Sequence, residues 1–196
     1  RLLNYLLVPL YTRYFAPEEY GVVTELYAYV AFLVVFLTYG LETAFFRFSK
    51  KENDSDKVYG TALISLIVSS CLFLFLTLLS STSIADYMGF GIESKYVQYF
   101  AVIVALDAVS SISFAKLRHE EKAVQFAIIR LLGIFLNIAL NVYFILYKEI
   151  LEIEYIFISN LASSIFTIIL LSPQMLRPKI VFKKIFWKKM MIYALP

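Results

Sequence analysis

The chain is a succession of apolar runs, each about twenty residues long and nearly free of charge, and this constrains its fold more than any other feature. Val22–Leu41, Tyr59–Ser80, Tyr96–Ala115, Ala123–Tyr147 and Tyr155–Met175 follow one another, with Leu2–Tyr14 before them. A helix rises about 1.5 Å per residue, so about 20 apolar residues cross a bilayer core of roughly 30 Å. The runs do not alternate and are about twice the length of a barrel strand, which excludes a β-barrel reading. Apolar residues fill 61% of the 196 positions and charged residues only 17%. Soluble domains sit near 45–50% and about a quarter. No soluble core of this size covers so much apolar surface, so the solvent for the excess is lipid. The predicted fold class is all-α: a polytopic membrane helix bundle, a lobe of about six transmembrane helices spanning 1–14, 22–41, 59–80, 96–115, 123–147 and 155–175. A basic linker at 177–189 and the opening of a seventh helix at 190–196 follow.

The connections are short, which predicts sequential antiparallel hairpins. Lys and Arg set their orientation. Arg47, Lys50, Lys51 and Lys57, then Lys116, Arg118 and Lys122, then Arg177, Lys179, Lys183, Lys184, Lys188 and Lys189 all fall on one side. Only Arg13, Lys95 and Lys148 fall on the other. The loops after the second, fourth and sixth helices are therefore expected in the cytoplasm. The segment Arg177–Lys189, with Ile180, Val181, Phe182, Ile185, Phe186 and Trp187 between its charges, reads as a surface helix on the anionic inner leaflet or as a plain charged linker. The chain starts at Arg1 with an apolar run already under way and stops at Pro196 shortly after a new one begins. It reads as an internal fragment of a longer protein.

Several function classes lose support. A lone Cys71 inside an apolar run removes a disulfide framework or a cysteine metal site, and His119 has no histidine partner. The six glycines form no phosphate loop, and no nucleophile–base set or metal-ligand spacing occurs. Basic residues are not interleaved with aromatics in a polar context, so nucleic acid is not an expected partner. No enzyme activity and no cofactor are predicted.

The informative residues are polar groups at membrane depth, where an ionisable side chain normally faces a partner or a cavity. Asp107 lies about eight residues, and Arg130 about seven, from the cytoplasmic ends of adjacent antiparallel helices, so both sit roughly 10–13 Å deep and within reach of each other. Arg130, Gly133, Asn137 and Asn141 share one helix face, as do Asp107, Ser110 and Ser111. Thr61, Ser65 and Ser69 form a third stripe, and Asn160, Ser163, Ser164 and Thr167 a fourth. Together the stripes can surround a hydrated cleft, or they can be packing glue around a structural ion pair. Arg13 with Glu25 near the outer surface, and Glu42 with Arg47 at the inner end of the second helix, read as interfacial anchors. Tyr11, Tyr14, Tyr20, Tyr39, Tyr96, Tyr99, Tyr147 and Tyr155 suit an aromatic belt. Pro9 is expected to kink the first helix.

Leu7–Gly21, LVPLYTRYFAPEEYG, and Tyr39–Phe48, YGLETAFFRF, are sharper still. With Pro9, Thr12, Arg13, Pro17, Glu18, Tyr20, Gly21, Gly40 and Arg47 in place, they resemble the start of polysaccharide exporters, the Wzx-type O-antigen flippases of the multidrug/oligosaccharidyl-lipid/polysaccharide superfamily. Leu117–Arg130, LRHEEKAVQFAIIR, resembles that family's short charged inner loop, and Tyr193–Pro196, YALP, the opening of its second half-repeat. The resemblance covers nearly the whole chain and implies the N-terminal lobe of a transporter of twelve to fourteen helices. Its implied activity is flipping undecaprenyl-pyrophosphate-linked oligosaccharide across the bacterial cytoplasmic (inner) membrane by alternating access. The implied substrate-binding set is Arg13, Arg130, Asn137, Asn141, Asp107 and Arg47. Besides the lipid-linked oligosaccharide, the implied partners are membrane lipid and the polysaccharide polymerase and chain-length proteins, with a proton or sodium as coupling ion. A multidrug exporter of the same superfamily and a non-transporting scaffold subunit are the alternatives.

Overall fold

The computed structural model describes residues 7–51, 55–89, 93–176 and 180–194, and every regular element among them is helical. In chain order these are α1 (Val8–Tyr14), α2 (Pro17–Thr38), α3 (Leu41–Lys51), α4 (Ser55–Leu79), α5 (Ser81–Met88), α6 (Ser94–His119), α7 (Ala123–Val142), α8 (Glu154–Leu176) and α9 (Lys184–Ala194), with a π-helical turn at Tyr143–Tyr147 after α7. Five stretches are long and apolar enough to cross a membrane: Pro17–Lys50, Ser55–Leu79, Ser94–His119, Ala123–Tyr147 and Glu154–Leu176. Of the first apolar run only the part from Leu7 onward is described; residues 2–6 lie outside, as do Lys51's side chain, Arg177, Lys179 and the last two residues of YALP.

Local chemistry explains the departures from the expected boundaries. Pro17 begins α2, where its missing N–H is not needed, and the Glu19 carboxylate accepts the Ala16 backbone N–H at 3.1 Å. Glu25 therefore stands within the helix, not at its start. Pro9 falls in the first turn of α1, so in the described part it opens a helix and does not kink one. The charged stretch from Arg47, expected to end the second helix as a loop, is helical instead. Tyr39 and Gly40 take positive φ values of 34° and 70°, and the chain bends there and resumes as α3. Gly40 suits the bend twice over, because a Cβ would also sit 3.2 Å from the Ala194 carbonyl oxygen. The bend works because Leu41, Ala44 and Phe45, three and four apart, are fully buried while Arg47 and Lys50 face outward.

The central element is α6, of whose most apolar stretch 72% is buried. Ala101, Ala108 and Ala115 are fully buried along it, and such small side chains let neighbouring membrane helices approach closely. It packs most extensively against α4 and α8, then α2. The helices around it expose apolar rows such as Phe32, Val35 and Phe36 on α2, Leu72, Phe75 and Leu79 on α4, and Ile128, Leu131 and Phe135 on α7. Lipid is the solvent that makes such a surface stable. The expected chain of sequential hairpins is therefore only partly met, because α7 packs mainly on α8 and touches α6 much less. The gap this leaves between α6 and α7 is the cavity described below.

Ion pairs tie both ends of the bundle. At the end carrying the basic connections, the Lys116 ammonium is 2.9 Å from Asp56 and 3.6 Å from Glu120 and 4.4 Å from the centre of the Tyr59 ring. Arg118 pairs with Glu42 on α3. At the opposite end Lys95 lies 2.7 Å from Glu154, which also accepts the Tyr99 hydroxyl at 2.8 Å. The basic linker is also redrawn: residues 180–183 are not helical, and α9 runs from Lys184 through the expected linker–helix boundary at Met190. Thr61 holds this crossing, its Oγ1 accepting the Lys183 backbone N–H at 3.1 Å. Gly60 leaves room for it, since a Cβ there would meet the Val181 nitrogen at 2.9 Å.

Candidate functional site

A cavity of about 620 Å³ opens between α1, α2, α6, α7 and α8. Three of the four polar stripes reach it: Asp107, Ser110 and Ser111 from α6, Arg130, Gly133 and Asn137 from α7, and Asn160, Ser163, Ser164 and Thr167 from α8. Helical periodicity puts each set on one face, and the divergence of α6 from α7 turns these faces inward around a common space. The fourth stripe does not reach it. Thr61 and Ser65 on α4 are buried against α4's own carbonyls, at 2.7 Å to Lys57 and 2.8 Å to Thr61, and Thr61 also serves the 180–183 crossing.

Within the cavity the hydroxyls are mostly committed to backbone. Ser110 and Ser111 donate to the Leu106 and Ala108 carbonyls at 2.8 and 2.7 Å, which satisfies them on their own helix. Ser163 donates across to the Gly133 carbonyl at 2.6 Å and so joins α8 to α7. Ser164 donates to Asp107 Oδ1 at 3.0 Å and joins α8 to α6. Asp107 and Arg130 both border this space. The Arg130 guanidinium carbon lies 3.9 Å from the centre of the Phe114 ring. Asn137 stands two turns further along α7, about 10 Å away.

The other sequence candidates lie elsewhere. Asn141 is buried just beyond the cavity and does not line it; its Nδ2 donates to the Asn137 carbonyl at 2.8 Å and its Oδ1 accepts the Tyr11 hydroxyl at 2.9 Å. It ties α1 to α7. Arg13 is exposed at the end of α1. Arg47 sits on α3 with its guanidinium 4.3 Å from the centre of the Tyr193 ring, away from the cavity. Neither arginine borders it.

The wall opposite α7 and α8 escaped the sequence reading. Tyr11, Tyr20, Thr24 and Tyr27, with Val23, Val30 and Val34, line the cavity from α1 and α2. Tyr11 and Tyr20, expected in an aromatic belt, instead turn toward this space with ring centres 6.0 Å apart. Tyr27 stacks on Phe157 at 6.1 Å and borders the same space as Asn160 and Asp107. The signal was present: Tyr20, Thr24 and Tyr27 sit at i, i+4 and i+7, hidden in a helix that is apolar on every side. Tyr14 and Tyr147 do remain exposed.

The cavity therefore has two unlike walls, one of aromatic rings and valines, the other of an arginine, two asparagines, a carboxylate and hydroxyls. Such a space can hold a ligand with apolar faces and polar edges, with an anionic part near Arg130. A family model described as polysaccharide biosynthesis protein matches residues 10–196. No curated protein and no solved structure matches the chain.

Proposed function

This chain belongs to the polysaccharide biosynthesis protein family, and from that premise we propose that it is part of a flippase for lipid-linked oligosaccharide of the Wzx type, working by alternating access in the bacterial inner membrane. The observation that carries the reading is the two-walled cavity enclosed by apolar helices of membrane-spanning length, with Arg130 on its border. A sugar–pyrophosphate headgroup cannot cross hydrocarbon unaided, because desolvating an unpaired anion is prohibitive. A cation with amide and hydroxyl neighbours replaces part of its hydration. Sugar rings present C–H faces that suit Tyr20 and Tyr27 and hydroxyl edges that suit Asn137 and Asn160. The volume lies within the range of small-ligand sites and fits a headgroup whose lipid tail stays in the bilayer. A scaffold subunit would pack its polar faces dry; the faces of α6, α7 and α8 border open space instead.

Asp107 supports a second reading. A carboxylate beside the cavity suits export of a cation, as in a multidrug exporter of the same superfamily, or coupling to a proton or sodium.

The test is complementation in a strain deleted for its own flippase. Arg130→Ala should abolish surface polysaccharide while expression stays near normal. Arg130→Lys should retain part of it, since a point charge survives the loss of the planar fork. Leu78→Ala, on the exposed apolar surface of α4, should be silent. Normal export by Arg130→Ala refutes the site assignment, and drug resistance lost in Asp107→Asn with polysaccharide export intact would favour the multidrug reading.

A further inference from the structure

The rows that α2, α4 and α7 present to lipid are apolar, but the outer face of α9 is mixed. Lys184, Trp187 and Lys188, at i, i+3 and i+4, share one side of the helix and are exposed. Ile185 and Ile192 on the same half of the helix are 64% and 68% exposed. The opposite half is committed to protein. Met190 is fully buried in a cluster with Leu41, Phe45 and Tyr59, and Phe186 packs against it. Two glycines fix where the helix lies. The chain crosses Gly60 with the Val181 nitrogen 2.9 Å from where a Cβ would be, and α9 ends with Ala194 against Gly40. Gly60 is near the start of α4 and Gly40 just past the end of α2. The helix is therefore held at the level where the apolar spans give way to charge.

Interleaved ammonium and apolar side chains suit neither bulk water nor hydrocarbon. A lysine is costly in hydrocarbon, and isoleucine or tryptophan facing water leaves apolar area unburied. The bilayer interface accommodates both, with the indole at headgroup level and the lysine stems reaching to phosphate. Lys95, Lys116 and Lys122 each have a carboxylate close by, at 2.7, 2.9 and 2.6 Å. Among the described residues no ion pair holds Lys183, Lys184 or Lys188, so their counter-charge is left to the surroundings. Arg47, over the Tyr193 ring at 4.3 Å, brings a fourth cation against the same helix.

We propose that the outer face of α9 is a binding surface for anionic phospholipid in the leaflet that meets the basic end of the bundle. Trp187 and the two isoleucines seat the helix among the upper acyl chains, and Lys183, Lys184 and Lys188 pair with phosphate groups. A plain charged linker would show no such preference. The proposal stands apart from the flippase reading, because lipid preference is measured without transport.

Trp187 is the chain's only tryptophan and reports on this face alone. The full chain is reconstituted in nanodiscs of phosphatidylcholine with a minor fraction of phosphatidylglycerol. Brominated acyl chains, which quench indole on contact, are carried either by the phosphatidylglycerol or by an equal amount of the phosphatidylcholine. Total charge is then the same in both, and only the position of the quencher differs. The anionic lipid should quench Trp187 about fivefold more strongly, the enrichment expected from a lysine near an anionic headgroup. Replacing Lys183, Lys184 and Lys188 together with Gln should make the two lipids equal. Quenching by brominated phosphatidylcholine should stay as in the parent, which shows that Trp187 keeps its seat. Lys148→Gln, at the opposite end of the bundle, should leave the preference unchanged. Should the triple variant fail to fold, salt at about 1 M, where the screening length is about 3 Å, should at least halve the preference of the unaltered chain. Equal quenching by both lipids in the parent, or a preference indifferent to salt and to the triple substitution, overturns the proposal. Absence of quenching by either lipid overturns it as well, and would mean that water or another protein surface covers this face.

Discussion

Gly133 is a point of close approach between α7 and α8 in the cavity wall, and replacing it with alanine tests whether this contact holds the cavity in shape. A Cβ at position 133 would lie 2.7 Å from Thr167 Oγ1 and 3.6 Å from Ser163 Oγ. The first contact is about 0.7 Å short of ordinary van der Waals distance. Thr167 cannot simply turn away, because its Oγ1 donates to the Ser163 carbonyl at 2.9 Å while Ser163 Oγ donates to the Gly133 carbonyl at 2.6 Å. The strain spreads through a closed loop of contacts. Overpacking of this kind costs about 1–3 kcal/mol, and the gain from alanine over glycine in a helix offsets up to about 1 kcal/mol. The net loss of about 1–2 kcal/mol should lower the melting temperature by roughly 2–8 °C. In a Thr167→Ala background the clash is gone, and the same change should become neutral or stabilising. Melting curves of the four proteins in detergent, followed through Trp187 fluorescence, measure the coupling. Equal effects of Gly133→Ala in both backgrounds would refute the reasoning, because independent sites add and sites in contact do not.

Tyr11→Phe should destabilise the protein by about 1–3 kcal/mol, since it leaves Asn141 Oδ1 without its donor in a residue only 1% exposed; an unchanged melting temperature would mean that α1 is not tied to α7 in this way. At the basic end, Lys116→Met should be nearly neutral, because an apolar chain of similar length replaces a buried ammonium. Asp56→Asn should cost about 1–2 kcal/mol, less than for a fully buried pair, because the Asp56 side chain is 63% exposed. The double variant should be no worse than Lys116→Met alone; an additive loss would show that the two do not interact. The orientation predicted from the basic loops places Glu93 and Glu152 outside and Ser55 and Glu121 inside. On a Cys71→Ser background an impermeant maleimide applied to intact cells should label Glu152→Cys and spare Ser55→Cys, and the reverse pattern would invert the lobe.

Part of the site was legible because helical periodicity survives burial. Asp107 with Ser110 and Ser111, Arg130 with Gly133 and Asn137, and the stripe from Asn160 to Thr167 were each readable as a face and do border one cavity. The same rule misled for Thr61 and Ser65. A polar stripe states which residues share a face, not what the face meets, and theirs meets α4's own carbonyls and the 180–183 crossing. Tyr11 and Tyr20 were misjudged for the opposite reason. An aromatic residue near a helix end suits a lipid interface and a cavity wall equally well, and only the neighbour decides between them.

The sequence by itself determined the class of solvent, five of the spans and the polar faces, because hydrophobic length, charge and periodicity are properties of consecutive residues. Tertiary structure alone decided which helices became neighbours. α6 packs on α4 and α8 with Ala101, Ala108 and Ala115 fully buried along it, while α7 packs mainly on α8, to which the Ser163–Gly133 hydrogen bond joins it. It also decided that the charged stretch after Gly40 is a helix, since Leu41, Ala44 and Phe45 are fully buried within the bundle. The cavity exists because two helices adjacent in sequence diverge in space. That divergence is a contest among distant contacts, and no window of neighbouring residues contains it.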